Sequence, residues 1–161
     1  MTEEKSILIV DDDKIILDSL REFLLLEGFQ TRGVQTLKNA AAELQKQNYS
    51  LVITDINLSD GDGFELLDMV RKNYPQTVVI VITGYGTIGS AVKAIKRGAY
   101  DYLTKPIIDD ELRMAVDRAI RQQSIIKENE SLRLKLEQKY SLENIISHDY
   151  KMAKIFDLVE A

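Results

Sequence analysis

The stretch Leu51-Val52-Ile53-Thr54-Asp55-Ile56-Asn57 decides how the chain is read. An apolar run of this length, rich in β-branched residues, fits a strand buried on both faces of a parallel sheet. Its acid comes at the carboxyl end, where open α/β sheets place their ligands. Aspartate is also common at strand-to-loop junctions, so Asp55 alone reads equally well as a cap for the following loop. The rest of the chain has to separate the two readings.

On the amino-terminal side, Ser6–Val10 (SILIV) is a first short strand that runs into Asp11-Asp12-Asp13. A helix follows with Ile16, Leu20, Phe23 and Leu24 on one face, stopped by Gly28. Phe29–Val34 carries Gln30 and Arg32, as an edge strand would, and a second helix from about Thr36 places Leu37, Ala40, Ala41 and Leu44 at helical spacing. After Asp55 the loop Asn57–Gly63 is dense in turn formers, and a third helix covers about Phe64–Asn73, ending before Pro75. Val78–Ile82 is the most β-prone run and ends in Thr83-Gly84-Tyr85-Gly86. A fourth helix spans about Thr87–Arg97 to Gly98, and Tyr100–Leu103 is a fifth strand ending in Thr104-Lys105-Pro106. Asp109, Asp110 and Glu111 suit the positive N-terminus of a fifth helix.

Five β/α units in alternation mean right-handed crossovers and a parallel sheet covered on both faces. The expected fold is α/β, a doubly wound five-stranded parallel sheet in the flavodoxin-like (CheY-like) order 2-1-3-4-5, with a C-terminal helical extension. In that order the ligand site lies at the switch point between the first and third strands.

Composition narrows the chemistry. The chain has 161 residues, no cysteine and one histidine, which excludes disulfides, thiolate zinc sites, cysteine nucleophiles and multi-histidine metal sites. A net charge of −5 argues against a general nucleic-acid-binding surface in this segment. No apolar run approaches the ~20 residues that span a bilayer, and Met1-Thr2-Glu3-Glu4-Lys5 is not a signal peptide, so a cytoplasmic location is the default.

Strands one, three, four and five finish in Asp11/Asp12/Asp13, Asp55, Thr83 and Lys105, and a doubly wound sheet brings those ends to one edge. Clustered carboxylates repel and raise one another's pKa, a conflict that a hard divalent ion removes. Magnesium suits such a site because it binds a few carboxylates and keeps several waters for exchange. Lys105 adds a point charge for a phosphoryl oxygen, and Thr83 a hydroxyl donor. Metal, ammonium, hydroxyl and a spare carboxylate are the parts needed for phosphoryl transfer to a carboxylate nucleophile. Each part has a bland reading by itself, as solvated loop, turn hydroxyl or surface cation. Their occurrence at successive strand ends of one sheet favours function.

The segments LIVDDDK (8–14), LVITDINLSDGDGFELL (51–67), VIVITGYG (79–86) and GAYDYLTKPI (98–107) resemble the receiver domains of two-component response regulators, over about Ser6–Ala119. The resemblance implies that Asp55 accepts a phosphoryl group from a histidine kinase. It implies magnesium held directly by Asp12, through water by Asp11, by Asp55, and by the backbone carbonyl of Asn57. Thr83 and Lys105 would contact the phosphoryl group, and Tyr102 would be the aromatic whose rotamer follows Thr83. It further implies a cis peptide at Lys105-Pro106. Asp13 has no clear place in the pattern. Ser59 stands where many relatives have proline, which predicts a less rigid loop after the acceptor.

Arg118 to Tyr140 has no Gly or Pro and many charges, and reads as the fifth helix running on into a coiled coil. With Ile125 at d, Asn129 falls at a, Leu132 at d and Leu136 at a; a single Asn at an a position favours a parallel dimer in one register. Gln122 at a and Arg118 at d weaken the seam, and the competing reading is a solvated single helix. ENESLRLKLEQ (128–138) and the residues after Tyr140 resemble the linker and opening helix of sigma-54-dependent activators of the nitrogen-regulation (NtrC-type) group. Departures at Ser147, Asp149 and Tyr150 weaken that match, and no phosphate-binding loop of ATPases is present.

The organisation expected is a receiver domain (1–119), a coiled-coil linker helix (120–140) and the start of an AAA+ domain (141–161). The implied partners are a cognate histidine kinase, a second copy through the fourth-helix, fifth-strand and fifth-helix surface and the linker, and, in a longer protein, an AAA+ ATPase domain with sigma-54 RNA polymerase. Neither nucleic acid nor membrane is expected to contact this segment. Three rivals remain. A stand-alone phosphorelay receiver fits the same site. An aspartate-nucleophile phosphatase needs a second acid two residues after the nucleophile, where Asn57 stands. A flavodoxin-type flavin module needs a phosphate loop where three aspartates would repel one. His148 also raises a kinase reading, but a lone histidine in a polar stretch is more often simply exposed.

Overall fold

The computed structural model describes residues 5–84 and 86–149, with side chains to residue 140. Five parallel strands form the main sheet: β1 (Ser6–Val10), β2 (Gln30–Val34), β3 (Leu51–Asp55), β4 (Val78–Thr83) and β5 (Asp101–Thr104). Their order is β2-β1-β3-β4-β5, the doubly wound arrangement expected. The helices are α1 (Lys14–Leu26), α2 (Leu37–Lys46), α3 (Gly63–Asn73), α4 (Ile88–Lys96) and α5 (Asp109–Asp149).

Hydrophobicity explains the order. β3 and β4 are buried at every position, whereas β2 has only exposed and half-buried residues, as its edge position allows. Leu8, Val52, Val79, Val81, Leu67 and Val70 belong to one buried cluster between the sheet and its helices. In-register pairing of Val10 with Thr54, Asp55 with Ile82 and Thr83 with Thr104 brings the carboxyl ends of four strands to one edge. That alignment builds the site.

Local signals set the boundaries. Asp13 caps α1, accepting from the amides of Ile15 at 3.0 Å and Ile16 at 3.4 Å, which gives this residue the place its sequence context left open. Gly28 ends α1 at φ +97° and Gly98 ends α4 at φ +103°, a region only glycine enters at low cost. Several boundaries lie a residue from expectation, and one segment differs in kind. The fifth strand begins at Asp101 rather than Tyr100, because the chain is still leaving the α4 terminus: the Ala99 amide bonds back to the Ala94 carbonyl. The segment after Asp55 is not a plain loop. It folds into a two-residue antiparallel ladder, Asn57–Leu58 against Gly61–Asp62.

That segment is also tethered. Asp60 accepts from the amides of Leu37 at 2.8 Å and Lys38 at 3.0 Å, at the N-terminus of α2. Those two donors hold the Asp60 carboxyl below the usual carboxylate range. The looseness expected from Ser59 in place of proline is thus opposed by a side chain one residue further on.

By its contacts the chain divides into two units, residues 1–124 and 125–161, with the division inside α5. In the second unit Ile125, Asn129, Leu132 and Leu136 are all exposed. The backbone of residues 141–149 continues α5, and the rest of the expected ATPase opening, with Tyr150, lies outside the described residues. Among the described residues no helix is long and apolar enough to cross a membrane.

Candidate functional site

Asp55 is the last residue of β3 and only 6% exposed. Such burial of a carboxylate requires partners, and two are at hand. Its Oδ1 accepts from the Asn57 amide at 3.1 Å, and its Oδ2 accepts from Lys105 Nζ at 2.7 Å. Lys105 also lies 2.9 Å from Asp11 Oδ2, so one ammonium sits between two buried acids. The Lys105 amide donates to the Thr83 carbonyl at 2.8 Å, which fixes where the side chain leaves the backbone. The peptide between Lys105 and Pro106 is cis, as expected.

Asp11, Asp12 and Asp55 each present a carboxylate oxygen within 4.8 Å of the others. Burial pushes the Asp11 carboxyl up; the Asp13 amide and the Lys105 ammonium pull against this, while the charge on Asp55 adds to it. Burial draws the Lys105 ammonium down, but hydrogen bonds and charge from Asp55 and Asp11 outweigh it and hold it above its ordinary value. Lys105 thus pairs with two of the three clustered acids, Asp11 and Asp55. The deficit of positive charge, the hard oxygen donors and the exposure of Asp12 together fit a magnesium ion that keeps part of its water shell. The Asn57 side chain is exposed beside them.

Thr83 ends β4, 1% exposed, one residue past the partner of Asp55 in the ladder. Tyr102 lies on β5, half-buried, packed against the main hydrophobic cluster. Its hydroxyl is 3.0 Å from Ser90 Oγ in the first turn of α4.

Two residues that sequence reasoning passed over shape this edge. Gly63, the first residue of α3, lies so near the acceptor strand that a Cβ there would fall 2.3 Å from the Asp55 carbonyl oxygen. Its amide donates to the Ile56 carbonyl at 2.7 Å. The second is Ser90. Gly63 had a sequence signal, a glycine at the start of a helix just after the proposed acceptor, where only close backbone approach gives it a purpose. Ser90 had a weaker one, three residues after Thr87 in a capping pattern.

A buried carboxylate with an ammonium on one oxygen, two neighbouring acids and a threonine at the next strand end thus lie together at one edge of a doubly wound sheet. Comparison with known proteins supplies the family. Residues 7–117 match the response regulator receiver domain, and the chain belongs to that family. It is a receiver domain of the NtrC-type group, a signalling phosphoacceptor of two-component systems. Its relatives include the nitrogen assimilation regulatory protein NtrX of Azorhizobium caulinodans, 40% identical over 71% of this chain and 26% of that protein. The response regulator protein PilR of Pseudomonas aeruginosa is 38% identical over 75% of the chain and 27% of its own length. The chain therefore spans well under two thirds of these curated relatives. Among solved structures, the beryllofluoride-activated NtrC4 receiver domain dimer is 36% identical, with a TM-score of 0.71 over 73% of this chain and 98% of that one. Receiver domains are not generally classed as enzymes. They bind magnesium at an acidic pocket, interact with histidine kinases and can dimerise.

Proposed function

We propose that Asp55 accepts the phosphoryl group of a cognate histidine kinase and that the change is read at a dimer surface. The observation that carries the first part is the Asp55–Lys105 contact at 2.7 Å beside Asp11 and Asp12. An Asp55 oxygen attacks phosphorus as the nitrogen–phosphorus bond to the donor histidine breaks, and that bond's electron pair returns to the imidazole. Lys105 stands where it neutralises charge gathering on the transferred oxygens. Asp12 directly, Asp11 through water and the Asn57 carbonyl would hold magnesium together with Asp55. When bound, the ion neutralises charge on the group in transit. The chain itself is not an enzyme on this reading, though it takes part in its own phosphorylation and dephosphorylation.

Phosphorylation adds about −1.5 to −2 charge units at Asp55. Thr83 moves to meet the new oxygens and Tyr102 packs toward the space it leaves, altering the surface of α4, β5 and α5. A swing from 1:99 to 99:1 between two states needs ~5.5 kcal/mol of differential stabilisation. A few charge-assisted hydrogen bonds supply part of this, and dimerisation supplies the rest. Support for a dimer comes from exposed apolar residues on α4, with Ile88 at 87%, Val92 at 46% and Ile95 at 49%. The exposed seam of Ile125, Asn129, Leu132 and Leu136 and the dimeric NtrC4 relative add to it.

The organisation we favour is a receiver over 1–119, a dimerising linker helix over 120–140 and the opening of an AAA+ sigma-54 activator domain over 141–161, in a cytoplasmic protein. The NtrX and PilR relatives, regulators of which this chain matches only 26% and 27%, support that output.

Acetyl phosphate with magnesium should label the wild type, and Asp55→Asn should take up no label; full labelling of that variant would assign the acceptor elsewhere. Sedimentation with and without beryllofluoride tests the output, since equal dimer populations in both conditions would sink the dimer switch.

A further inference from the structure

The start of α4 and the ring of Tyr102 share one hydroxyl group. Thr87, the residue before α4, accepts from the Ser90 amide through Oγ1 at 3.0 Å, and its own amide donates to Ser90 Oγ at 3.2 Å. This reciprocal pair closes the helix N-terminus. Ser90 Oγ further reaches the Thr87 carbonyl at 3.1 Å and Tyr102 Oη at 3.0 Å. A serine hydroxyl has one proton to give and two lone pairs to offer. Ser90 Oγ also lies 2.9 Å from Thr87 Oγ1, so four polar partners share its one proton and two lone pairs, and in the contact with Tyr102 either hydroxyl can donate.

The surroundings leave the ring little freedom at that end. A Cβ on Gly86 would stand 3.4 Å from Tyr102 Oη and 2.4 Å from Thr104 Cγ2, so the chain leading into α4 closes over the hydroxyl. The ring itself packs against a cluster that includes Val81, Ala94 and Ala99. Its apolar body is therefore on the core while its polar tip is held by the helix.

We infer that Ser90 is a positioning residue of the switch: its hydroxyl holds Tyr102 packed inward and couples the ring to the point where α4 begins. This rests on the Thr83–Tyr102 relay proposed above and adds a third member to it. Phosphorylation draws Thr83 away and packs Tyr102 toward the space it leaves; Ser90 holds the hydroxyl end of the ring on the core side that this packing uses, so it favours the phosphorylated state. It does so without touching the phosphoryl group. Helix capping alone would give Ser90 a purely structural task, and the two roles separate in a binding measurement.

The test is magnesium-dependent beryllofluoride binding by the full chain, compared among wild type, Ser90→Ala, Tyr102→Phe and the double variant. Loss of one neutral hydrogen bond is expected to weaken binding by about 2- to 10-fold in each single variant. The double variant should bind no more weakly than the weaker single, because both changes remove the same contact. Tyr102→Phe leaves the Thr87–Ser90 cap untouched, so its loss of binding should come without the fall in urea midpoint expected of Ser90→Ala. Binding that is unchanged or tighter in either single variant, or losses that multiply in the double, would overturn the inference. Failure of the wild type to bind beryllofluoride, or equal binding by Asp55→Asn, would instead reject the phosphoacceptor reading beneath it.

Discussion

Replacing Gly63 with alanine sets two physical effects against each other. Alanine is a better helix former than glycine by about 1 kcal/mol in a helix interior, and by less at the first position of α3 where Gly63 lies. Against this, the new methyl would meet the Asp55 carbonyl oxygen at 2.3 Å, with the Asp55 carbonyl carbon and Ile56 Cα each at 3.0 Å. These are backbone atoms of the acceptor strand and cannot rotate aside as a side chain would. Overpacking of this kind costs about 1–3 kcal/mol, so the clash wins. The relief, a shift of about 1 Å between α3 and the end of β3, falls on the acceptor itself, and a misplacement of that size costs ~100-fold in a positioned reaction. Gly63→Ala should therefore lower the urea midpoint at unchanged m and slow autophosphorylation by acetyl phosphate far more than it destabilises. Gly28→Ala is the control. Its φ of +97° strains the backbone, but nothing lies within 4 Å of the new methyl, so stability falls while phosphorylation kinetics hold. A Gly63→Ala protein as stable as wild type and phosphorylated at the same rate would refute the close-approach argument.

Three further outcomes are expected. Asp13→Ala should lose about 1 kcal/mol of stability through the α1 cap yet bind magnesium normally, whereas Asp12→Ala should lose magnesium binding; equal losses of metal binding would make Asp13 a ligand. Burial and the Glu43 carboxylate push the Tyr49 phenol up to about 12. An unfolded tyrosine ionises near 10, so stability is complete below about pH 10 and falls by ~2–3 kcal/mol as pH rises to about 12. Tyr49→Phe should abolish that part of the alkaline slope in urea melts, and an identical slope would refute the assignment. Leu67→Ala, at a wholly buried position, should cost about 2–5 kcal/mol in the same melts; a loss under about 1 kcal/mol would mean that the core collapses around the gap.

Most of the fold was legible because its signals are local. Val78–Thr83 and Leu51–Asp55 are continuous apolar runs that only a sheet covered on both faces would bury, and their alternation with helices dictates the crossover rule. The site followed from topology: once the strand ends are aligned, Asp11, Asp12, Asp55 and Lys105 must meet. What escaped depends on neighbours distant in sequence. Glu43 reads as a surface charge on α2, yet it is buried, accepting from the Tyr49 hydroxyl at 3.0 Å and paired with Arg32 at 3.3 Å. Ser90 reads as a helix-cap residue, and nothing in its surroundings along the chain points to a tyrosine on the strand that follows. Asp13 was readable by its place three residues before the apolar face of α1, but the adjacent acids drew it into the metal question.

Asp60 gives the acceptor loop a property that proline would not. A pyrrolidine ring restricts the backbone through covalent geometry, equally at every acidity and salt concentration. Asp60 restrains the same loop through a charged group on two amides at the mouth of a helix, an exposed contact that holds only while the carboxylate is ionised and weakens as ions screen it. The order of the segment beside Asp55 thus becomes a variable of the solution. In this chain the tether of the acceptor loop therefore loosens as acid protonates Asp60 or as salt screens it, whereas a proline ring would answer to neither.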